Sequence, residues 1–307
     1  MAAIDQPASE TTAAAYRRGV MLVFLAGIFW STQGVAIRMM EEATAWQILF
    51  YRSIALSVFL FLVLAIRGRG NPFPIFKALG FSAVLGGGCL VFAFAGGMVA
   101  VKETTVANAF FVFASTPFFA ALLGRLLLGE AVRKATWFAI AFALAGIFIM
   151  VIGKLDSGKM IGNIASLLAA LGFALFTVFL RWKRLSDTLP IVCYGGILAT
   201  VVGAVAVHLD GSGFAVPQLD LGLCFAMGVG QVGMGLLVFT IGSRHVPAGE
   251  LALLSMIEAV LGPLWVYLAV GETMSTETAI GGVMIFSAIA FNALSGMRKR
   301  PPPPVIP

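Results

Sequence analysis

Charged residues cut the chain into long apolar runs. Between consecutive Asp, Glu, Lys or Arg residues lie eight uncharged windows of 19 to 24 residues, at 19–37, 78–101, 104–124, 135–153, 160–180, 188–209, 221–243 and 278–297. Two more apolar stretches of similar length carry one charge each, 43–66 with Arg52 and 251–271 with Glu258. A helix needs about 20 apolar residues to cross a hydrocarbon core of roughly 30 Å. The pattern therefore predicts ten membrane-spanning helices, an all-α integral membrane fold.

Composition agrees. The 307 residues are 60% hydrophobic and 11% charged, whereas a soluble domain carries about 25% charge. The net charge of +6 raises the question of nucleic acid, and the distribution answers it. With the N-terminus in the cytoplasm and ten crossings, 15 of the 20 Lys and Arg fall on cytoplasmic segments. Four fall on outer loops, and Arg52 lies within a span. That bias is the positive-inside pattern of membrane proteins. It predicts a multi-pass plasma-membrane protein, a bacterial inner-membrane one, with both termini cytoplasmic and no nucleic-acid partner. Residues 1–17 and the basic, proline-rich 298–307 read as cytoplasmic tails, with no order expected over 1–15 and 301–307. The first window follows Arg17-Arg18 like a signal peptide, but nine spans behind it make it an uncleaved helix. Cys89, Cys193 and Cys224 sit in apolar windows and read as small hydrophobes, with no disulfide or metal role.

The two halves resemble each other at a nearly fixed offset. At 143 residues Gly19 falls on Gly162, Arg38 on Arg181 and Tyr51 on Tyr194. At 142, Leu79-Gly80 falls on Leu221-Gly222, Gly86 on Gly228, Gly88 on Gly230, and Gly129-Glu130 on Gly271-Glu272. Each copy holds five spans, residues 18–153 and 160–297, so the second enters the membrane from the opposite side. Inverted repeats of this kind are a transporter architecture, with the substrate site near the midplane between the halves.

The segment Thr116-Pro117-Phe118-Phe119-Ala120-Ala121, running to Leu127-Leu128-Gly129-Glu130, resembles the drug/metabolite transporter superfamily in its ten-helix EamA-type branch. A looser copy runs from Glu258 through Pro263 to Val270-Gly271-Glu272. Here Ala259 stands where the first copy has Pro117, and Pro263 follows four residues later. Among such proteins the chain is most similar to exporters of aromatic and other apolar amino acids. The resemblance implies a secondary transporter working by alternating access, exporting small apolar metabolites with amino acids foremost and using no cofactor. Nucleosides and sugar phosphates are the rival substrates, although a phosphate should attract several buried cations and only Arg52 is available. A channel is less expected, because no charge ring or filter segment repeats. No P-loop is present for ATP. His208 and His245 fall at opposite faces and no catalytic or metal cluster forms, so an enzyme is not expected.

Arg52 and Glu258 are the first candidates for the substrate pathway. A charge near the bilayer centre costs at least about 2.5–3.5 kcal/mol, so it is paired or functional. From the helix rise, Arg52 lies about 14 Å below the outer edge of its span and Glu258 about 11 Å above the inner edge of its own. Those depths permit a static ion pair as well as a role in the cavity. Neither charge recurs in the other half. Glu258 is the candidate carrier if a proton couples transport. Trp30, Ser115 and Gln231 fall near the midplane, and Gln33 and Asn108 nearer the outer face. A central amide such as Gln231 must find partners. Gly86, Gly88, Gly228 and Gly230, with Pro117 and Pro263, are the candidate bending points, although close helix packing explains glycines equally well. Gly228-Val-Gly-Gln-Val-Gly233 matches a dinucleotide fingerprint literally, but an uncharged span with no preceding strand excludes it. Gly129-Glu130 and Gly271-Glu272 read as turn and cap residues.

Overall fold

Each of the ten apolar runs contains helix among its described residues, which contain no strand. The structure, a computed structural model, describes residues 7–297 apart from 69, 72, 153–159, 184, 186, 247–253, 255 and 256. The loop cations Lys154 and Lys159, Arg69, Arg184, the tail 298–307 and the start of the 251–271 span lie outside the described residues.

In the first half, α1 (Pro7–Ser31) and α2 (Gln33–Arg38) form the first span, and α3 (Ala45–Arg67) the second. A short α4 (Phe73–Leu79) leads into α5 (Phe81–Glu103), followed by α6 (Val106–Phe113) with α7 (Thr116–Leu128), then α8 (Lys134–Ile152). The second half holds α9 (Met160–Lys183), α10 (Leu189–Asp210), and α11 (Gln218–Ala226) running through a π-helical segment, Met227–Met234, into α12 (Gly235–Gly242). It ends with α13 (Ile257–Val270) and α14 (Thr276–Met297). Eight helical segments have the length and apolarity to cross a bilayer, and the helices over Lys134–Met150 and Ile257–Val270 are shorter apolar ones.

Three local outcomes differ from the expectation. Helix α1 starts at Pro7 rather than near residue 18, because Pro is favoured in a first helical turn and the alanines that follow propagate helix. The fourth span is broken at Ala114–Ser115, so Pro117 lies in the first turn of α7 instead of mid-helix. There its missing N–H costs nothing, and the Thr116 hydroxyl donates to the Phe113 carbonyl that Pro117 cannot bond (2.6 Å). The eighth span carries a wide π-helical turn across Gly228, Gly230 and Gln231.

Packing obeys the inverted repeat. Helix α3 lies on its counterpart α10 and α8 on its counterpart α14. Helix α5 lies on α9, as α1 lies on the π segment and α12. Equivalent glycines are crowded or open alike, although Gly86 meets side chains of α9 and α10 where Gly228 meets the α3 backbone. A Cβ at Gly86 would fall 2.7 Å from the Phe179 ring and one at Gly228 would fall 2.4 Å from the Arg52 carbonyl, whereas Gly88 and Gly230 have nothing within 4 Å. Close approach of backbones is thus what Gly228 supplies, and it sets the α3–π-segment interface.

Candidate functional site

Helix α3 starts at a capping box in which Thr44 and Gln47 satisfy each other's backbone N–H groups, and Gln47 also donates to the Gly213 and Ala215 carbonyls. This fixes the helix so that Arg52 points inward, 2% exposed. The guanidinium carbon lies 4.7 Å from the Phe94 ring centroid on α5. Its Nε and Nη2 have no hydrogen-bond partner among the described residues. A buried cation lacking a counter-charge is costly in a low-dielectric interior, by several kcal/mol, and a π face offsets only part of that.

Three residues later on α5, Gly97 faces the Gln33 side chain. The Gln33 Oε1 accepts from Gln231 Nε2 at 3.3 Å, and the Trp30 carbonyl accepts from the same amide at 3.5 Å. Gln231 is buried with its Oε1 unpartnered. Trp30 stacks at a tilt on Phe239, centroids 5.2 Å apart, and a Cβ at Gly235 would fall 2.5 Å from its indole nitrogen. Trp30, Gln33 and Gln231, contributed by both repeats, therefore form one polar and aromatic group, half-buried at Trp30 and Gln33 and buried at Gln231, and α5 carries Gly97 against it three residues from the Phe94 that faces Arg52. π-Turns are frequent at functional sites because they re-aim side chains out of the 3.6-residue register, and here the turn presents Gln231.

Other candidates lie elsewhere. No ion pair links Arg52 to Glu258 among the described residues. The reason is packing: α3 contacts α10, α5 and the π segment, whereas α13 contacts α1, α2 and α6. Glu258 is half-buried. Asn108 is buried between α6 and α9, its amide donating to the Asn163 side chain, a bond that clamps the two repeats. The Ser115 hydroxyl donates to the Val112 carbonyl, and the residue borders a small apolar void of about 40 Å³ beside Ile140 and Ile147. Pro263 lines a larger, mostly apolar cavity of about 520 Å³ between α6, α13 and α14, with Phe111, Tyr267 and Phe286.

Two features escaped the sequence reading. Asp220, fully buried, accepts the backbone N–H groups of Glu41, Glu42 and Ala43 at 3.0, 3.0 and 2.8 Å, stapling the loop before α3 to α11. The second feature concerns the two Gly-Glu dipeptides. Gly129 and Gly271 do end helices at φ +68° and +70°, as expected of caps, but the carboxylates bond across the repeats. Glu272 pairs with Arg38 at 2.6 Å and Glu130 with Arg181 at 2.7 Å. The repeat register held the signal, since both arginines and both glutamates are repeat mates.

The profile of the EamA-like transporter family matches residues 17–152 and again 160–294. The pseudopaline exporter CntI of Pseudomonas aeruginosa (strain UCBPP-PA14) is 28% identical over 295 residues, covering 92% of this chain and 98% of the exporter. An uncharacterized transporter of Vibrio cholerae is 24% identical over 300 residues, covering 92% and 94%. A crystal structure of a protein 22% identical superposes with a TM-score of 0.63, covering 91% of this chain and 98% of that one, which supports the fold alone.

Proposed function

The chain belongs to the EamA-like transporter family, and from that premise we propose that it is a secondary carrier exporting small apolar amino acids, aromatic ones included, by alternating access. The single observation that carries this reading is the Arg52 guanidinium, buried against Phe94 with two nitrogens unpartnered. In a carrier those nitrogens await a ligand anion, and one carboxylate fits them. Phe94 and Trp30 suit an apolar or aromatic body, and Gln231 Oε1 can accept from an ammonium. One cation favours a carboxylate over a phosphate, which draws on several. That relatives are named as exporters supports the direction. In this reading the face that carries Arg181 is cytoplasmic with both termini, in a bacterial inner membrane. Glu258 is the proton carrier of the coupling step.

The test is counterflow in liposomes loaded with unlabelled phenylalanine, leucine, a nucleoside or a sugar phosphate. Labelled amino acid accumulates with the parent protein. Arg52→Ala abolishes accumulation, and Glu258→Gln removes its dependence on a pH gradient while exchange continues. Undiminished uptake by Arg52→Ala would discard the site, and counterflow of sugar phosphate or nucleoside alone would discard the substrate class.

A further inference from the structure

The two ion pairs at the helix ends are related by the repeat. Exchanging the halves carries Arg38 onto Arg181 and Glu272 onto Glu130, so the Arg38–Glu272 pair maps onto the Arg181–Glu130 pair at the opposite face of the membrane. We propose that these pairs are reciprocal latches of the transport cycle, each holding one face shut and each parting when that face opens. The proposal rests on the alternating-access reading above and adds the groups that gate it.

Each latch joins one repeat to the other. Arg38 closes the first span of the first half and Glu272 follows α13 of the second; Arg181 is on α9 of the second half and Glu130 follows α7 of the first. Separation of the halves at either face must lengthen the pair at that face. The left-handed glycines Gly129 and Gly271 give both carboxylates the same stance beyond their helices. A third ion pair, Arg67–Asp187 at 3.7 Å, has no repeat mate, since the equivalent positions are Asp210 and Thr44. It too crosses the repeats, joining the ends of α3 and α10, but with no counterpart at the opposite face it has nothing to alternate with.

The latches differ in strength. Arg38 and Glu272 side chains are 22% and 21% exposed. Arg38 Nη2 also donates to the Thr104 carbonyl at 2.6 Å, and Val106 N–H donates to Glu272 at 2.8 Å. That latch thus draws in the α5–α6 junction. Arg181 and Glu130 are 45% and 38% exposed, and among the described residues one additional side-chain bond runs from Arg181 to the Ala120 carbonyl at 3.0 Å. Exposed charges are screened by water and salt, so the Arg181 latch yields first. At that latch a Cβ on Gly124 would fall 2.4 Å from the Glu130 carboxylate, so the glycine lets the pair lie against α7.

The test measures distances and needs no substrate. In a background with Cys89→Ala, Cys193→Ala and Cys224→Ala, nitroxides are placed in lipid nanodiscs at the exposed positions Met39 with Met274, and Leu127 with Trp182. Pulsed electron–electron resonance reads one face with each pair. Glu130→Gln lengthens the 127–182 distance by about 5 Å, one helical turn, and leaves 39–274 short. Glu272→Gln lengthens 39–274 and leaves 127–182 short. The reversal Arg38→Glu with Glu272→Arg restores the parental 39–274 distance. Should Glu272→Gln not fold, Arg38→Gln reads the same latch. Unchanged distances, lengthening at the same face by both variants, lengthening at both faces by one, or no restoration by the reversal would each overturn the proposal. Such a failure leaves the Arg52 site standing, and failure of that site leaves these distances unaffected.

Discussion

Two glycines two positions apart in the π segment should respond in opposite ways to the same methyl group. A Cβ on Gly228 would lie 2.4 Å from the Arg52 carbonyl oxygen, 2.6 Å from Ala55 Cβ and 2.9 Å from Leu56 N. All three atoms belong to the α3 backbone or its first side-chain carbon, so none can rotate away. Restoring an ordinary contact near 3.4 Å moves the helices apart by about 1 Å, and overpacking of that kind costs about 1–3 kcal/mol. The movement also shifts Arg52 against Phe94, so transport falls with stability. Around Gly230 nothing lies within 4 Å, and alanine there should be neutral or stabilising by up to about 1 kcal/mol from helix propensity. The gap between Gly228→Ala and Gly230→Ala is then about 1–4 kcal/mol, roughly fivefold to several hundredfold in the unfolding equilibrium. Reversible unfolding in mixed micelles titrated with a denaturing detergent, followed by tryptophan fluorescence, measures it. Equal stability of the two variants, or a less stable Gly230→Ala, would refute the packing argument.

Asp220→Ala deprives three loop N–H groups of a charged acceptor, and with partial replacement by water the expected loss is about 2–4 kcal/mol, read by the same titration; a change below about 0.5 kcal/mol would contradict the staple. Asn108→Leu strands the Asn163 amide it now bonds and should cost about 1–3 kcal/mol. Adding Asn163→Leu should cost less than the sum of the single changes, and strict additivity in the double-mutant cycle would count against the clamp.

The sequence alone determined the ten helices and the inverted halves. In lipid each backbone polar group must be satisfied within its own segment, so a run of residues such as 160–180 declares its fate locally. It also singled out Arg52, Trp30, Gln33 and Gln231, because polar groups stand out where lipid penalises them. Which of those groups meet was a tertiary matter. Depth along a helix axis allowed Arg52 to reach Glu258, but depth carries no azimuth, and α3 and α13 face different neighbours. Asn108 and Ser115 stood out in the sequence in the same way, and only packing showed their partners, Asn163 on α9 for one and the Val112 carbonyl for the other. The π turn that aims Gln231 left no mark in the hydropathy, since it changes hydrogen-bond register rather than residue type. Arg38 and Glu272 are 234 positions apart, and only the superposition of two oppositely threaded halves, a property of the assembled bundle, brought such distant charges to one face.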